Sequence, residues 1–414
     1  MMSYAINRQI RPEVGKETLS LAIAGDTCPR GTAATEVSAG RSGEILEQVR
    51  TFLDNADLRL VQWETPLTDA DTPICKSGPN IRCAPDAVKL LQAGRFDVAL
   101  LANNHIGDYG PEAVNETIAR LHAAGIQTVG AGSDLAEARR PLRIRRNGLS
   151  LSILNVAEHE FGTATPATPG SNPLDIAPLL LQIARERRAG NLVLVVSHGG
   201  NEFNPVPSPR MVGNCRAFVE AGASAVVNIH THCPQGMEVY QGAPIVYSTG
   251  NFFFPMREQQ PFDPDNLWYT GYVPQFTFDR NGAVAVAILP CRFLESPWRV
   301  EPLDEKAVRR FSEYFDTLSN LIAETTPCFE AWCTIVGGRN LESIRRAAEG
   351  VPFADPAAQE VRRQILPLRN LFTCEAHKEM MDTYLRLIET GRLAAAAEKA
   401  ALLKQLQRPG LYTE

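Results

Sequence analysis

Short apolar runs alternate with amphipathic stretches from Leu19 to about Asn251. Runs rich in β-branched residues predict strands, and apolar positions spaced by three and four residues predict helices. Their alternation is typical of an α/β fold, in which helices cover a sheet. The predicted strands are 19–25, 58–63, 96–102, 126–130, 192–197 and 224–229, and the predicted helices are 43–55, 85–93, 111–124, 173–188 and 208–221.

Turn residues between alternating runs predict three hairpins. Asn147-Gly148 joins LRIR to LSLSILNV, and the segments MEVYQGAPIVYS and QFTFDRNGAVAVAIL have a similar form. Hairpins pair antiparallel strands, whereas strand–helix–strand units pair parallel ones. The pattern therefore favours a mixed sheet, or two sheets packed face to face, over a purely parallel sheet.

The pattern changes after about Leu303, where long amphipathic stretches replace the short apolar runs. Helical spacing predicts helices at 304–323, 338–349, 356–368 and 374–405. We therefore divide the chain into an α/β domain, 1–300, and a helical C-terminal extension, 301–414, packed on it. The extension has two alternative roles. It covers the sheet or makes a homodimer contact, or it shapes a substrate pocket.

Composition excludes several classes of protein. Apolar residues make up 44% and charged residues 21% of the chain, which is average for a globular protein with a sizeable core. The net charge of −6 comes without a basic stripe, so we expect no nucleic-acid partner. No apolar run approaches a membrane span of roughly 18 residues and no signal-peptide core is present, so we expect a soluble cytoplasmic protein. Nine scattered cysteines favour reduced thiols, although Cys75 and Cys83 could bridge a loop.

Chemically reactive side chains follow five of the apolar runs. When parallel strands end at one edge of a sheet, residues distant in sequence meet in a single crevice. Imidazole nitrogens and carboxylate or amide oxygens are also groups that hold divalent ions in proteins. The sequence therefore predicts a metalloenzyme, and the residues concerned are Asp26, Glu64, Asn104, His105, His198, His230 and His232.

His230 and His232 are separated by one residue. In an extended segment their side chains would point to the same side and could face two ions, because strand side chains alternate. We expect one or two divalent ions, with Mn, Zn, Fe, Mg and Ca as candidates, and no organic cofactor. We interpret His122, His159 and His377 as structural, although His159 follows a strand and could reach the site.

Five longer motifs contain these residues: GDTCP at 25–29, QWETPLT at 62–68, LLANNHIGDYG at 100–110, SHGGNEF at 197–203 and IHTHCPQGMEVYQGAPIVYSTGNFFF at 229–254. They resemble the successive motifs of the CapA family, the poly-γ-glutamate capsule biosynthesis proteins. That family in turn resembles the calcineurin-like metallophosphoesterases. The resemblance covers about residues 19–254 and implies a two-sheet α/β sandwich, flanked by helices, with a dinuclear metal centre.

The resemblance also implies a role for each candidate. It gives two overlapping ligand sets, Asp26, Glu64 and His232 around one ion and Glu64, Asn104, His198 and His230 around the other. Glu64 would bridge the two ions. By the same analogy His105 would face the substrate as general acid or base, work that suits an imidazole near neutral pH.

Three departures from the phosphoesterase pattern bear on the number of ions. Cys28 stands where those enzymes have a histidine, and we interpret it as a small buried residue rather than a ligand. Glu64 replaces a bridging aspartate, and Asn228-Ile229 replaces a doubled histidine. The second ligand set is complete, so one firmly held ion is the safer expectation.

Other residues are candidates for substrate binding. Lys76 and Arg82 lie in one loop, Arg210 follows a Pro-Ser-Pro segment, and Glu202 and Asn251 belong to the family-like motifs. The cations among them could hold an anionic group. The resemblance to the CapA family implies a peptide or another carboxylate-bearing small molecule as substrate.

The site allows four functions. Our main hypothesis is a soluble metal-dependent enzyme that cleaves or transfers a peptide or γ-glutamyl amide, with His105 as general acid/base. The alternatives are a peptide Cα-epimerase of a peptide natural-product pathway, which the resemblance also implies, a phosphoester hydrolase and a non-catalytic binding scaffold. Amide cleavage and epimerisation both require a polarised carbonyl group, so the motifs alone do not separate them.

Overall fold

The computed structural model describes residues 5–255, 263, 265–349 and 359–412. The strands are β1 (Ile6–Gln9), β2 (Leu19–Thr27), β3 (Leu58–Trp63), β4 (Val98–Leu100), β5 (Gln127–Val129), β6 (Ala131–Gly132), β7 (Leu142–Arg146), β8 (Leu149–Ala157), β9 (Gly170–Ser171), β10 (Leu192–His198), β11 (Ala225–Ile229), β12 (Met237–Tyr240), β13 (Ala243–Val246), β14 (Asn251–Phe253), β15 (Thr270–Asp279), β16 (Gly282–Leu294) and β17 (Arg299–Pro302). The α-helices are α1 (Thr32–Ser38), α2 (Ser42–Asp54), α3 (Val88–Ala93), α4 (Pro111–Ala123), α5 (Leu135–Ala138), α6 (Ile176–Arg188), α7 (Pro209–Glu220), α8 (Glu305–Leu321), α9 (Thr325–Glu349), α10 (Gln359–Thr373), α11 (Glu375–Glu389), α12 (Leu393–Ala396) and α13 (Ala400–Leu406).

Two large mixed sheets are formed within the described ranges. The first has the strand order β1-β16-β15-β2-β3-β4-β5, with β14 paired to β2 and β17 paired to β16. The second has the order β12-β13-β11-β10-β8-β7. In the first sheet β2 to β5 are parallel, and β15, β16 and β1 continue the sheet antiparallel on the other side of β2. In the second sheet β8, β10, β11 and β13 are parallel, and the edge strands β7 and β12 are antiparallel to their neighbours. The sequence prediction of mixed pairing is confirmed.

The two sheets pack face to face around a shared hydrophobic core. Leu21 and Ile23 of β2 lie in the same buried cluster as Leu194 and Val196 of β10. The outer face of the first sheet packs against α1 to α4, and the outer face of the second packs against α6 and α7. Each fully buried side chain of this kind contributes roughly 1.5–3 kcal/mol by leaving water. The predicted fold class, a two-sheet α/β sandwich flanked by helices with a helical C-terminal region, is confirmed.

The three predicted hairpins are present. Asn147 and Gly148 connect β7 to β8 with φ of 50° and 77°, and Gln241 and Gly242 connect β12 to β13 with φ of 48° and 81°. Positive φ at both central residues matches the twist of the flanking strands. The third hairpin joins β15 to β16.

The C-terminal helices cover one side of the sandwich. Phe311 and Phe315 of α8 lie 6.0 and 5.3 Å from the ring of Tyr272 in β15. Strand β17 pairs with β16, so the first sheet continues to Pro302, across the division proposed at 300/301. None of the helices within the described ranges is both long and apolar enough to cross a membrane.

The predicted start of the second C-terminal helix is wrong. Helix α9 begins at Thr325 rather than at 338, so Gly337 and Gly338 lie inside it. Gly337 is required there because a Cβ would lie 2.3 Å from Cγ of Tyr384 in α11. Of the predicted helix 356–368, residues 356–358 fall outside the described residues and the rest belongs to α10. The predicted stretch 374–405 is divided into α11, α12 and α13.

We predict that Gly337→Ala weakens the packing of α9 on α11. The added methyl would meet the Tyr384 ring, and overpacking of this kind costs about 1–3 kcal/mol. Gly213→Ala in the interior of α7 is the matched control, because nothing lies within 4 Å of its added methyl. Helix propensity should make that control slightly more stable. Thermal unfolding measures both, and a Tm for Gly337→Ala at or above that of the parent protein contradicts the prediction.

Candidate metal centre

The carboxyl ends of the central strands of both sheets bring the candidate ligands together. Asp26 lies near the end of β2, and Glu64 follows β3, its parallel neighbour. In the other sheet His198 is the last residue of β10 and pairs in register with Ile229, so His230 follows beside it. Residues separated by about two hundred positions thus meet because parallel strands share an edge.

Two buried carboxyl groups lie beside one histidine. Asp26 and Glu64 are 0% exposed. Nδ1 of His198 is 3.7 Å from Oδ1 of Asp26, and its Nε2 is 3.5 Å from Oε1 of Glu64. Among the described residues, Oδ1 of Asp26, both carboxyl oxygens of Glu64 and Nδ1 of His198 have no hydrogen-bond partner. Buried polar atoms without partners are costly, and a bound cation would satisfy them.

The segment carrying His230 and His232 is a turn, so the prediction that it is extended is wrong. Strand β11 ends at Ile229, and φ is 112° at His230 and 53° at His232. Such backbone is sparsely populated by residues other than glycine and tends to occur at functional sites. Both rings still reach the cluster: Nδ1 of His230 is 3.0 Å from Nε2 of His198, and Nε2 of His232 is 4.0 Å from Oε1 of Glu64.

Within the described part of the chain, three groups of side chains place their ligand atoms within 4.8 Å of one another. The groups are Asp26, Glu64 and His232; Glu64, His198 and His230; and Glu202, His230 and His232. The first two correspond to the ligand sets implied by the family resemblance. Asn104 joins the second set, since its Oδ1 is 3.1 Å from Nε2 of His198. The third group brings in Glu202, which we expected at the substrate.

Burial determines the charge state of these groups. It raises the pKa of Asp26 to about 8 and the pKa of Glu64 well above its usual range, where the neighbouring Asp26 adds to the effect. Burial also lowers the pKa of His198 well below its usual range and that of His232 to about 3, the latter against an opposing hydrogen bond with Asn251. Neutral imidazoles offer a lone pair to a metal, and crowded carboxyl groups gain from a cation. The donor set therefore fits a divalent ion.

His105 is held by a buried ion pair. Its Nδ1 is 2.7 Å from Oδ2 of Asp108, and Lys76 forms an ion pair with the same carboxylate. Nζ of Lys76 lies 3.1 Å from Nδ1 of His105, but an ammonium only donates, so Nδ1–H and Lys76 both donate to Asp108. The Nε2 atom of His105 is then available to interact with a group in the pocket. Burial and Lys76 lower the pKa of His105 against the opposing Asp108, which favours a neutral imidazole that can accept a proton.

The candidates for substrate binding lie in different surroundings. Lys76 lines the pocket but is neutralised by Asp108. Arg82 is not among the described lining residues, because its guanidinium covers the ring of Tyr109 at 5.2 Å. Oδ1 of Asn251 accepts a hydrogen bond from Nδ1 of His232 at 2.8 Å, so Asn251 orients a candidate ligand.

Two further side chains are committed to neighbours. Arg210 pairs with Glu158 at 2.6 Å and Glu379 at 3.0 Å. Cys28 is buried, and its Sγ lies 3.8 Å from Sγ of Cys83 rather than within a ligand group. All nine cysteines are free, and Cys75 is exposed while Cys83 is buried.

Sequence reasoning missed Glu160. In the segment Glu158-His159-Glu160, His159 turns away to Glu375 at 2.6 Å, whereas Glu160 enters the pocket. Its carboxylate is 3.4 Å from Nδ2 of Asn104 and 3.9 Å from Nε2 of His230. The segment follows β8, which pairs in parallel with β10, and this position at the same sheet edge could have indicated it.

The cluster lies under a pocket of about 850 Å³. Asn104, His105, His230 and His232 line it from the α/β side. The ring of Trp268 packs against that of His232 at an interplanar angle of 41°, with centroids 4.5 Å apart, a contact with no signal in the sequence. The opposite wall belongs to the C-terminal helices, so the extension covers the sheet and also shapes the pocket.

This fold and pocket define an α/β sandwich protein that gathers metal-type ligands at one edge of its two sheets. The chain belongs to the family described as bacterial capsule synthesis protein PGA_cap, whose model matches residues 20–256. It is 30% identical over 305 residues to the capsule biosynthesis protein CapA of Bacillus anthracis, covering 71% of this chain and 72% of that protein. It is 27% identical to the PGA biosynthesis protein CapA of Bacillus subtilis (strain 168), covering 71% and 77%.

Two solved structures that align with this chain are less similar to it in sequence than the CapA proteins are. A hypothetical protein from Thermus thermophilus aligns with a TM-score of 0.41 at 16% identity, covering 66% of this chain and 98% of that one. A 5'-nucleotidase precursor from the same organism aligns with a TM-score of 0.40 at 13% identity, covering 69% and 54%. The family assignment does not depend on this likeness.

We predict that Glu64→Gln has opposite effects without and with metal. In chelator, the variant should be more stable than the parent protein, because the parent must bury a carboxyl group whose pKa is raised on folding. Such a group destabilises the fold increasingly as pH rises above its unfolded pKa, so the advantage should grow between about pH 5 and pH 8.

With Mn²⁺ present, the parent protein should instead be more stable than Glu64→Gln. An ion at about 100 times its Kd stabilises the parent protein by about 2.7 kcal/mol, whereas the variant should gain much less. Thermal unfolding with and without Mn²⁺ measures both effects, and Glu342→Gln on the exposed face of α9 should show the full Mn²⁺ shift. An equal Mn²⁺ shift in Glu64→Gln would rule out Glu64 as a ligand.

Proposed function

We propose that this protein is a metal-dependent enzyme that acts at an amide bond of a peptide or γ-glutamyl substrate. The observation that carries the proposal is the set of buried carboxyl and imidazole atoms without hydrogen-bond partners, next to a pocket that His105 also lines. A structural core would satisfy such atoms with neighbouring protein groups. A site that receives a cation and a substrate leaves them available.

The ion-holding residues in this proposal are the two overlapping sets, Asp26, Glu64 and His232, and Glu64, Asn104, His198 and His230. Glu64 belongs to both, which suits a bridging carboxylate. When bound, a divalent ion such as Mn, Zn, Fe, Mg or Ca would polarise the carbonyl oxygen of the amide.

His105 moves the proton. Its Nε2 accepts the proton of the attacking water and then donates it to the leaving nitrogen, so that one group serves as base and then acid. Asp108 keeps the Nδ1–H tautomer and stabilises the imidazolium, and Lys76 balances the charge of Asp108. Asn251 positions His232 through its hydrogen bond to Nδ1.

Membership of this family supports a peptide or γ-glutamyl compound as the substrate. Its description names capsule synthesis, and the two relatives are named for capsule and PGA biosynthesis. The bond that links residues of poly-γ-glutamate is a γ-glutamyl amide. Peptide epimerisation and phosphoester hydrolysis are the alternatives, and the experiment below separates them.

A panel of probes decides the reaction. The Mn²⁺-loaded protein should release amine from a γ-glutamyl anilide or from a short peptide anilide. Uptake of deuterium at Cα from heavy water without cleavage would identify an epimerase, and turnover of an aryl phosphate alone would identify a phosphoesterase. Binding of the probes with none of these reactions would favour a scaffold. Each of the last three outcomes overturns the proposed amide chemistry.

We predict that His105→Gln keeps the ion and loses turnover of the reactive amide probe. Loss of a positioned acid–base group costs about 10²–10⁴-fold in rate. His122→Gln is the control, since His122 lies on α4 and contacts Thr128 at 2.9 Å away from the pocket. Elemental analysis should give the same ion content for both variants, and steady-state kinetics should differ. A His105→Gln enzyme within about threefold of the parent kcat would exclude the assigned role, given that range.

A further inference from the structure

The C-terminal extension presents one face of a helix to the pocket. Trp332, Ile335, Val336, Arg339 and Ser343 of α9 all line it. Their spacing of three, four, seven and eleven residues from Trp332 places them on one side of an α-helix. The face is therefore a continuous surface opposite the candidate metal centre, and it lies outside the residues that the family model matches.

Most of this wall is apolar. Trp332, Ile335 and Val336 are joined by Met380 and Met381 of α11. Methionine and tryptophan offer large polarisable surfaces that adapt to apolar groups. A wall of this composition gains free energy by removing apolar substrate surface from water.

Arg339 is the one charged residue that the described part of the extension contributes to the lining, counting histidine as neutral. No carboxylate partner of Arg339 is found among the described residues, and its side chain is exposed. The other basic residues that line the pocket already have partners. Lys76 is paired with Asp108, and Arg30 donates from Nε to the carbonyl of Pro255 at 2.8 Å. Arg339 is thus the cation of this wall that is available to an anionic group.

The acidic residues of the pocket limit the charge a substrate can carry. Glu160 and Glu202 both line it, and the Glu160 carboxylate lies 3.9 Å from Nε2 of His230. A substrate with many carboxylates would be repelled by these two acids, and on the C-terminal wall, away from the candidate metal centre and Arg30, it would find Arg339 as the one described cation. One carboxylate at Arg339 avoids that repulsion.

We propose that the pocket selects a short peptide-like substrate that carries a bulky apolar group and a single carboxylate, rather than a polyanionic glutamate chain. The apolar group lies against Ile335, Val336 and Met381, and the carboxylate pairs with Arg339. The volume of about 850 Å³ falls in the range of small-ligand pockets. This inference rests on the proposed function only for the position of the reacting amide above the metal centre.

Binding of three matched probes tests the proposal. They are N-acetyl-leucyl-leucine, its C-terminal carboxamide and a γ-linked tetraglutamate, each measured by equilibrium dialysis with the Mn²⁺-loaded full-length protein. The acetylated dipeptide acid should bind about tenfold or more tightly than either other probe, the difference expected of one good charge-assisted contact. Arg339→Gln should abolish the preference for the acid over the carboxamide, and Ile335→Asn should weaken both leucine probes.

Arg346→Gln is the control variant. It lies on the same helix, pairs with Glu342 at 2.8 Å and is not among the described lining residues, so it should leave all three affinities unchanged. Tighter binding of the tetraglutamate, an Arg339→Gln variant that still prefers the acid, or no measurable binding of the dipeptide acid would each overturn the proposal. Because the readout is binding, failure of the amide probes to react would defeat the proposed function without altering this outcome.

Discussion

The approach of two buried carboxyl groups at the mouth of the sandwich is the constraint on which the rest of the site depends. Asp26 and Glu64 lie on adjacent parallel strands, are wholly removed from water and retain oxygens without partners. Without a bound cation this arrangement lowers the stability of the fold, because burial and mutual repulsion hold the two acids in their protonated form. The same atoms become favourable around a divalent cation, with His198, His230 and His232 as neutral partners.

Much of the sandwich could be predicted because its signals are local. Strands with β-branched runs and turns such as Asn147-Gly148 specify their own conformation, and parallel strands place their ends at one edge. The C-terminal extension was harder to predict. Gly337 resembles a helix boundary in the sequence, yet its role inside α9 depends on Tyr384, nearly fifty residues away. No local pattern reports a contact of that kind.

The candidate site likewise contains features that could be predicted from the sequence and features that could not. The ligand groups follow strand ends and could be named from the sequence, whereas the turn at His230 is set by tertiary packing and was predicted as extended. Asp108, three residues after His105, had a signal in its spacing that was not used. Trp268 and the α9 wall around Arg339 are brought to the pocket only by the fold. Family motifs thus account for the metal-type floor, and the C-terminal extension supplies another wall of the pocket.

Anomalous diffraction from crystals soaked in Mn²⁺ tests the central claim most directly, because it locates the ion independently of activity. A peak is expected between Glu64, His198 and His230. A second, weaker peak between Asp26, Glu64 and His232 would indicate a dinuclear centre. A well-ordered site with no peak among these residues, at Mn²⁺ concentrations that fill other metal sites, would contradict metal binding by this cluster.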